Sequence, residues 1–218
     1  MIDPTLKIEE KLTSDTIFQF LNAYTCRYVK QIYLQADNVQ DNTRAHKDSI
    51  DAIKSLITRT QLYEQPSTRN TDGYVKQYIL PENYFLYIRS SSMVTSTYLN
   101  TDMNGVGIIP NTIISEEDAE KVITTPYNQI ILRQPCVVMM SSHSNTCINV
   151  IHDKFTTIEG LDLIYYRLPK PFNVINVDGS EILDYCELPD SVHNDIVDGA
   201  VEMFITEAKY RLNMKDKD

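Results

Sequence analysis

YVKQYILPENYFLYIRSSSMVTSTYL, Tyr74 to Leu99, holds two runs dense in strand formers, Tyr74–Leu80 and Tyr84–Tyr98, parted by Pro81-Glu82-Asn83. Proline and asparagine between apolar runs signal a turn, so the stretch predicts a strand, a turn and a longer strand. Tyr84, Leu86 and Ile88 alternate and are expected on one face of that second strand.

Upstream the period changes. In SDTIFQFLNAYTCRYVKQIYLQA (Ser14 to Ala36), Ile17, Leu21, Tyr24, Tyr28 and Ile32 step by three or four residues and predict one apolar helical face. Thr13 or Ser14 can cap this helix, and Asp15 suits its positive end. A second helix is expected from about Asn42 to Leu62, with Ile50, Ile53, Leu56 and Ile57 as its stripe. The short polar joint ADNVQDN predicts that the two fold back as a helical hairpin.

Downstream, SEEDAEKVITT (Ser115 to Thr125) predicts a short helix capped by Ser115, with acidic residues in its first turn. Strands are expected at Gln129–Met140, Thr146–His152 and Leu161–Leu168. The last segment returns to helix, with Pro189 in the first turn and Val192, Ile196, Ala200, Met203 and Phe204 as the apolar stripe. Gly199 inside it costs about 1 kcal/mol relative to alanine and points to close packing. The tail NMKDKD is expected to fray. Helices, then strands, then a helix give an α+β class: N-terminal helical hairpin, central antiparallel β-region, C-terminal helix. The expected divisions are 1–64, 65–186 and 187–218, with the last forming one compact unit with the first.

Composition narrows the function. The 218 residues carry 20 basic and 30 acidic side chains, a net charge of −10, which argues against a basic nucleic-acid binder. With 42% hydrophobic and 23% charged residues the chain reads as globular. No apolar run approaches the roughly 20 residues of a membrane helix, and MIDPTLKIEEKL lacks a signal-peptide core. A chain made in the cytosol, without a membrane partner, is the expectation. The 14 tyrosines against 6 phenylalanines and no tryptophan suit either interfaces or strands.

Motifs for chemistry are sparse. Cys136, His143, Cys147 and His152 are zinc-type ligands, but no C-x2-C spacing holds two of them together. Buried thiols explain Cys136 and Cys147 better, and disulfides are not expected in the cytosol. His152-Asp153 resembles a fragment of a phosphohydrolase signature, but neighbours on a strand face opposite ways. SSHSN, around His143, has the composition of a turn. His193, beside Asp190 and Asp195, is expected to be solvated. No Walker loop, G-x-G-x-x-G, EF-hand loop or G-x-S-x-G is present, and no cofactor is expected. On the last helix, Asp195, Asp198 and Glu202 line an acidic face. Such a face serves solvation, or would repel phosphates if it lined a DNA channel.

Three motifs carry a resemblance. They are PENYFLYIRSSS (Pro81 to Ser92), TTPYNQIILRQPCVVM (Thr124 to Met139), and DKFTTIEGLDLIYYRLPKPFNV followed by CELPDSVHNDIVDGAVEMFI (Cys186 to Ile205). From Tyr74 onward the chain resembles head–tail connector (neck ring) proteins of tailed bacteriophages, of the crAss-like phage type. The resemblance implies a structural virion protein, made in the host cytoplasm and without an active site. It would form a ring with copies of itself, twelvefold to match the portal, and bind the portal and neighbouring neck or tail rings. Double-stranded DNA would pass through it non-specifically. A heterologous contact closes such a ring when the subunit rotation divides a full turn. Candidate interaction residues are Tyr24, Tyr28, Tyr84, Tyr87, Tyr165, Tyr166, Val192, Ile196, Ala200 and Phe204, with Asp195, Asp198 and Glu202 as a candidate lumen face. The β-region is expected between neighbours, and the last helix or the N-terminal hairpin against the portal. The alternatives are a small cytosolic enzyme, using His152 and Asp153 or a metal on Cys136, Cys147 and His143, and a tail-hub or tail-tube subunit.

Overall fold

The computed structural model describes residues 13–38, 50–64, 74–96, 106–124, 134–141, 146–153, 155–177, 180–183 and 186–215. The fold is α+β, in two compact units: Met1–Leu56 with Leu168–Asp218, and Ile57–Arg167.

The first unit is built on two long helices, α1 (Ser14–Asn38) and α4 (His193–Lys215). Thr13 caps α1: its Oγ1 accepts the Thr16 N–H at 3.3 Å and its carbonyl accepts that of Ile17. The two helices pair antiparallel. Phe20 of α1 meets Phe204 of α4 edge to face, with ring centroids 5.4 Å apart, and Tyr24 lies against Gly199 a turn further along. The Asn22 amide holds the Phe172 backbone from both sides, accepting its N–H at 2.6 Å and donating to its carbonyl at 3.3 Å. A short helix, α2, is described over residues 50–53 and passes into a 3-10 turn at Lys54–Leu56, with Ala52, Ile53 and Leu56 buried. A hairpin of β9 (Val174–Val177) and β10 (Ser180–Leu183) completes the described part, and α4 continues to Lys215, into the tail expected to fray.

The helix expected to reach Leu62 stops short. Residues Ile57–Leu62 form strand β1, paired antiparallel from Ile57 opposite Tyr166 to Leu62 opposite Leu161. Ile57, Thr58 and Thr60 are β-branched, and with a strand available to pair, their pleat preference prevails over the apolar spacing that continues from Ile50. The partner, β8 (Thr156–Arg167), is the centre of a four-stranded antiparallel sheet ordered β1-β8-β3-β4, with β3 at Tyr84–Ser96 and β4 at Val106–Pro110. A second sheet runs β2-β7-β6-β5, from Val75–Ile79, Thr146–Ile151, Cys136–Ser141 and Thr112–Ile113. Its β5–β6 pair is parallel, a departure from the wholly antiparallel expectation. The chain leaves β5 through helix α3 (Glu116–Thr124) before it enters β6, and a helical crossover is what parallel neighbours require. Ser115 caps α3, its Oγ accepting the Asp118 N–H at 3.2 Å. The Lys121 ammonium and then the Ser115 hydroxyl hold the Asp118 carboxyl below the usual carboxylate range.

The two sheets stack face to face. Val94, Ile158, Leu161, Leu163 and Tyr165 from the first meet Tyr78, Leu80, Val137, Ile148 and Val150 from the second. The other face of the second sheet carries Cys136, Val138 and Ile151 under Ala119 and Val122 of α3. Tyr84, Leu86 and Ile88 do not share a face as expected. Bulges between Tyr84 and Leu86 and between Tyr87 and Arg89 reset the alternation, so Tyr84 and Tyr87 both pack on the core, followed by buried Ser90, Ser92 and Val94.

Tyr78 sits in this core at 0% exposure, and its hydroxyl has no hydrogen-bond partner among the described residues. Burial, then the carboxylates of Glu64 and Glu159, push its ionisation far up. Tyr78→Phe is therefore expected to raise the urea midpoint, by about 1 kcal/mol of stability, because it deletes a desolvated hydroxyl and keeps the ring.

Candidate functional site

The residues that suggest catalysis are dispersed or structural. Cys136 and Cys147 lie on the same face of the second sheet but at opposite ends of the β6–β7 ladder. Cys136 pairs with Ile151 and Cys147 with Met140. Four strand residues, about 13 Å, separate them, too far for one ion. His143 lies outside the described residues, and among those described no cluster of three metal-type ligands occurs. His152 and Asp153 fall in the β7–β8 connection rather than on a strand, and both are buried. Nδ1 of His152 donates to the Asp153 carbonyl at 2.8 Å, while the Asp153 carboxylate accepts the Phe155 N–H at 3.0 Å. That carboxylate shapes a turn and does not orient the imidazole, so the pair lacks the geometry of an acid–base dyad. His193 is half-buried where solvation was expected. Its Nε2 donates to the Leu188 carbonyl at 2.8 Å, tying the first turn of α4 to the chain before it.

Burial pushes the Cys26, Cys136 and Cys186 thiols above the ordinary value of 9.0. They are expected to alkylate at least about tenfold more slowly than a free thiol near neutral pH, and quickly once urea unfolds the chain, as timed by mass spectrometry. A raised folded-state pKa contributes stability that is present below the unfolded value. It is lost as pH rises past 9.0.

The candidate interaction residues mostly contact their own chain. The Tyr165 hydroxyl donates to Asn83 Oδ1 at 2.9 Å, and its ring tilts against Tyr84 with centroids 5.7 Å apart. Tyr87 bonds Ser90 at 3.0 Å, within a network that Asn111 extends to Ser92. Tyr166 is buried, as are Val192, Ile196 and Ala200, while Tyr24, Tyr28 and Phe204 are half-buried in the α1–α4 pair. Burial, then the Asp195 carboxylate, raises the Tyr28 hydroxyl above its ordinary value. Asp195, Asp198 and Glu202 are exposed.

Two surfaces escaped the sequence reading. On the outer face of the first sheet, Arg59 pairs with Asp162 at 2.6 Å beside Arg89, Ser91, Ile108 and Ile164, around a depression of about 160 Å³. That is smaller than the roughly 300–1,000 Å³ of a typical small-molecule site. On α4, Val197, Val201 and Ile205 form a second apolar row and remain 49%, 50% and 40% exposed. Their four-residue spacing was legible in VDGAVEMFI, but the stronger row at Ile196 and Ala200 drew the assignment.

The chain is similar to Ring protein 4/5 of Bacteroides phage crAss001, at 25% identity over 174 residues. The match covers 76% of this chain and 68% of that protein. No protein-family profile matches the chain. No described helix is long and apolar enough to cross a membrane.

Proposed function

We propose that this chain is a structural, non-enzymatic ring subunit of a tailed-phage particle, placed at the neck, where copies of it extend the DNA passage between portal and tail. The similarity to Ring protein 4/5 over most of both chains carries the reading. The dispersed thiols and the turn-forming Asp153 agree with a chain selected for assembly rather than for chemistry. A net charge of −10 suits a conduit that must release duplex DNA, since like charge keeps phosphates from adhering. Twelve copies would match a twelvefold portal. The test is native mass spectrometry of the purified chain, alone and with the portal ring of the same phage, together with proteomics of purified virions. A closed high-order ring and a virion-borne chain are expected. A chain that stays monomeric in both mixtures and is missing from virions overturns the reading.

A further inference from the structure

The exposed faces of α1 and α4 differ in a way that suits one to the other. On α4 the ridge of Val197, Val201 and Ile205 runs beside the exposed carboxylates of Asp198 and Glu202. On α1 the exposed positions Ala23, Arg27, Lys30 and Leu34 fall at steps of four, three and four, which places them in one row. Leu34 is 56% exposed. One row is apolar with an acidic flank, and the other is basic with apolar ends. The α1 row spans about three helical turns, roughly 16 Å, and the α4 ridge about two, roughly 12 Å.

We propose that the α1 row of one copy packs on the α4 ridge of the next copy, making the subunit contact of the ring; this rests on the ring reading above. Packing α4 against α4 would set Asp198 and Glu202 against their own duplicates, whereas α1 brings Arg27 and Lys30 to them. The contact is therefore heterologous, joining two different patches, which is the kind that propagates around a ring. It assigns Asp198 and Glu202 to a neighbour rather than to the lumen, and the helices rather than the β-region to the subunit boundary. Because the paired charges are exposed, assembly should weaken as salt rises.

The test uses native mass and thermal melting of the full chain, under whichever condition, alone or with portal, the wild type forms a ring. Val201→Arg is expected to abolish the ring and to melt at the temperature of the dissociated wild-type subunit, since that side chain already faces solvent. Arg27→Glu/Lys30→Glu and Asp198→Lys/Glu202→Lys are each expected to give monomers, and the fourfold reversal to recover the ring. Rings of wild-type mass from Val201→Arg and from both charge pairs would overturn this contact and leave the ring reading standing. Covalent dimers from Val201→Cys alone, under mild oxidation, would overturn it in favour of α4 self-pairing. A wild type that remains monomeric with and without portal overturns the ring reading itself.

Discussion

Gly199→Leu is expected to destabilise the chain by about 3 kcal/mol, read as a lower urea midpoint with an unchanged slope. A Cβ at this position would overlap the Tyr24 ring at Cζ and both Cε atoms, well inside van der Waals contact. Tyr24 stands on a helix, where a long side chain has two usable χ1 wells, so leaving its place removes the ring from the α1–α4 seam. Gly199→Ala opposes two effects. Helix propensity favours alanine by about 1 kcal/mol, while the displaced ring costs more, so a net loss is expected. In a Tyr24→Ala background the obstruction is gone and only the propensity remains. There Gly199→Ala should turn neutral or stabilising, and that reversal of sign in a double-mutant cycle identifies the Tyr24 contact as the cause. A loss of equal size in both backgrounds would refute it.

Leu163→Ala should cost about 3–4 kcal/mol. Leu163 is 0% exposed on β8, paired with Thr60 on one side and Ser90 on the other, and its side chain enters the seam between the stacked sheets. Both neighbouring strands hold the backbone in place, so the site cannot collapse to fill the void, and the cavity cost adds to the lost transfer energy. Ile164, the next residue, points to the outer face and lines the shallow depression beside Arg59. Ile164→Ala is expected to cost less than about 1.5 kcal/mol because its side chain already meets solvent. Denaturant curves of the two variants should therefore separate widely, and similar losses would contradict the two-sheet packing.

Where local spacing was unbroken, the elements were legible. The helical face around Tyr24 and Tyr28, the cap at Ser115, the strand at Thr146–Ile151 and the last helix all declare themselves within a dozen residues. Pro189, however, precedes a 3-10 turn at Asp190–Val192 instead of sitting in the first turn of α4. The strand at Thr156–Arg167 was half visible. It changes phase near Gly160, where a register shift beside Met93 moves the inward side from Thr156 and Ile158 to Leu161, Leu163 and Tyr165. A period-two reading restarts there and misses the first half. The candidate site was less legible, because an apolar residue counts as core or contact according to what lies above it. Val192, Ile196 and Ala200 are covered within the chain, whereas Val197 and Val201, one residue further on, are exposed.

By itself, then, the order of residues determined the α+β class, the periods of the long helices and the turn at Pro81–Asn83, all consequences of steric and hydrogen-bonding preferences acting over a few residues. Tertiary structure decided that ITRTQL is an edge strand rather than a helix end, that β5 and β6 run parallel, that Tyr24 of α1 leaves no room for a side chain at position 199, and that the Tyr165 hydroxyl finds Asn83. Those outcomes turn on which distant segment supplies the partner for a backbone or a hydroxyl. Pairing energies of that kind rival local propensity, and no short window of sequence contains them.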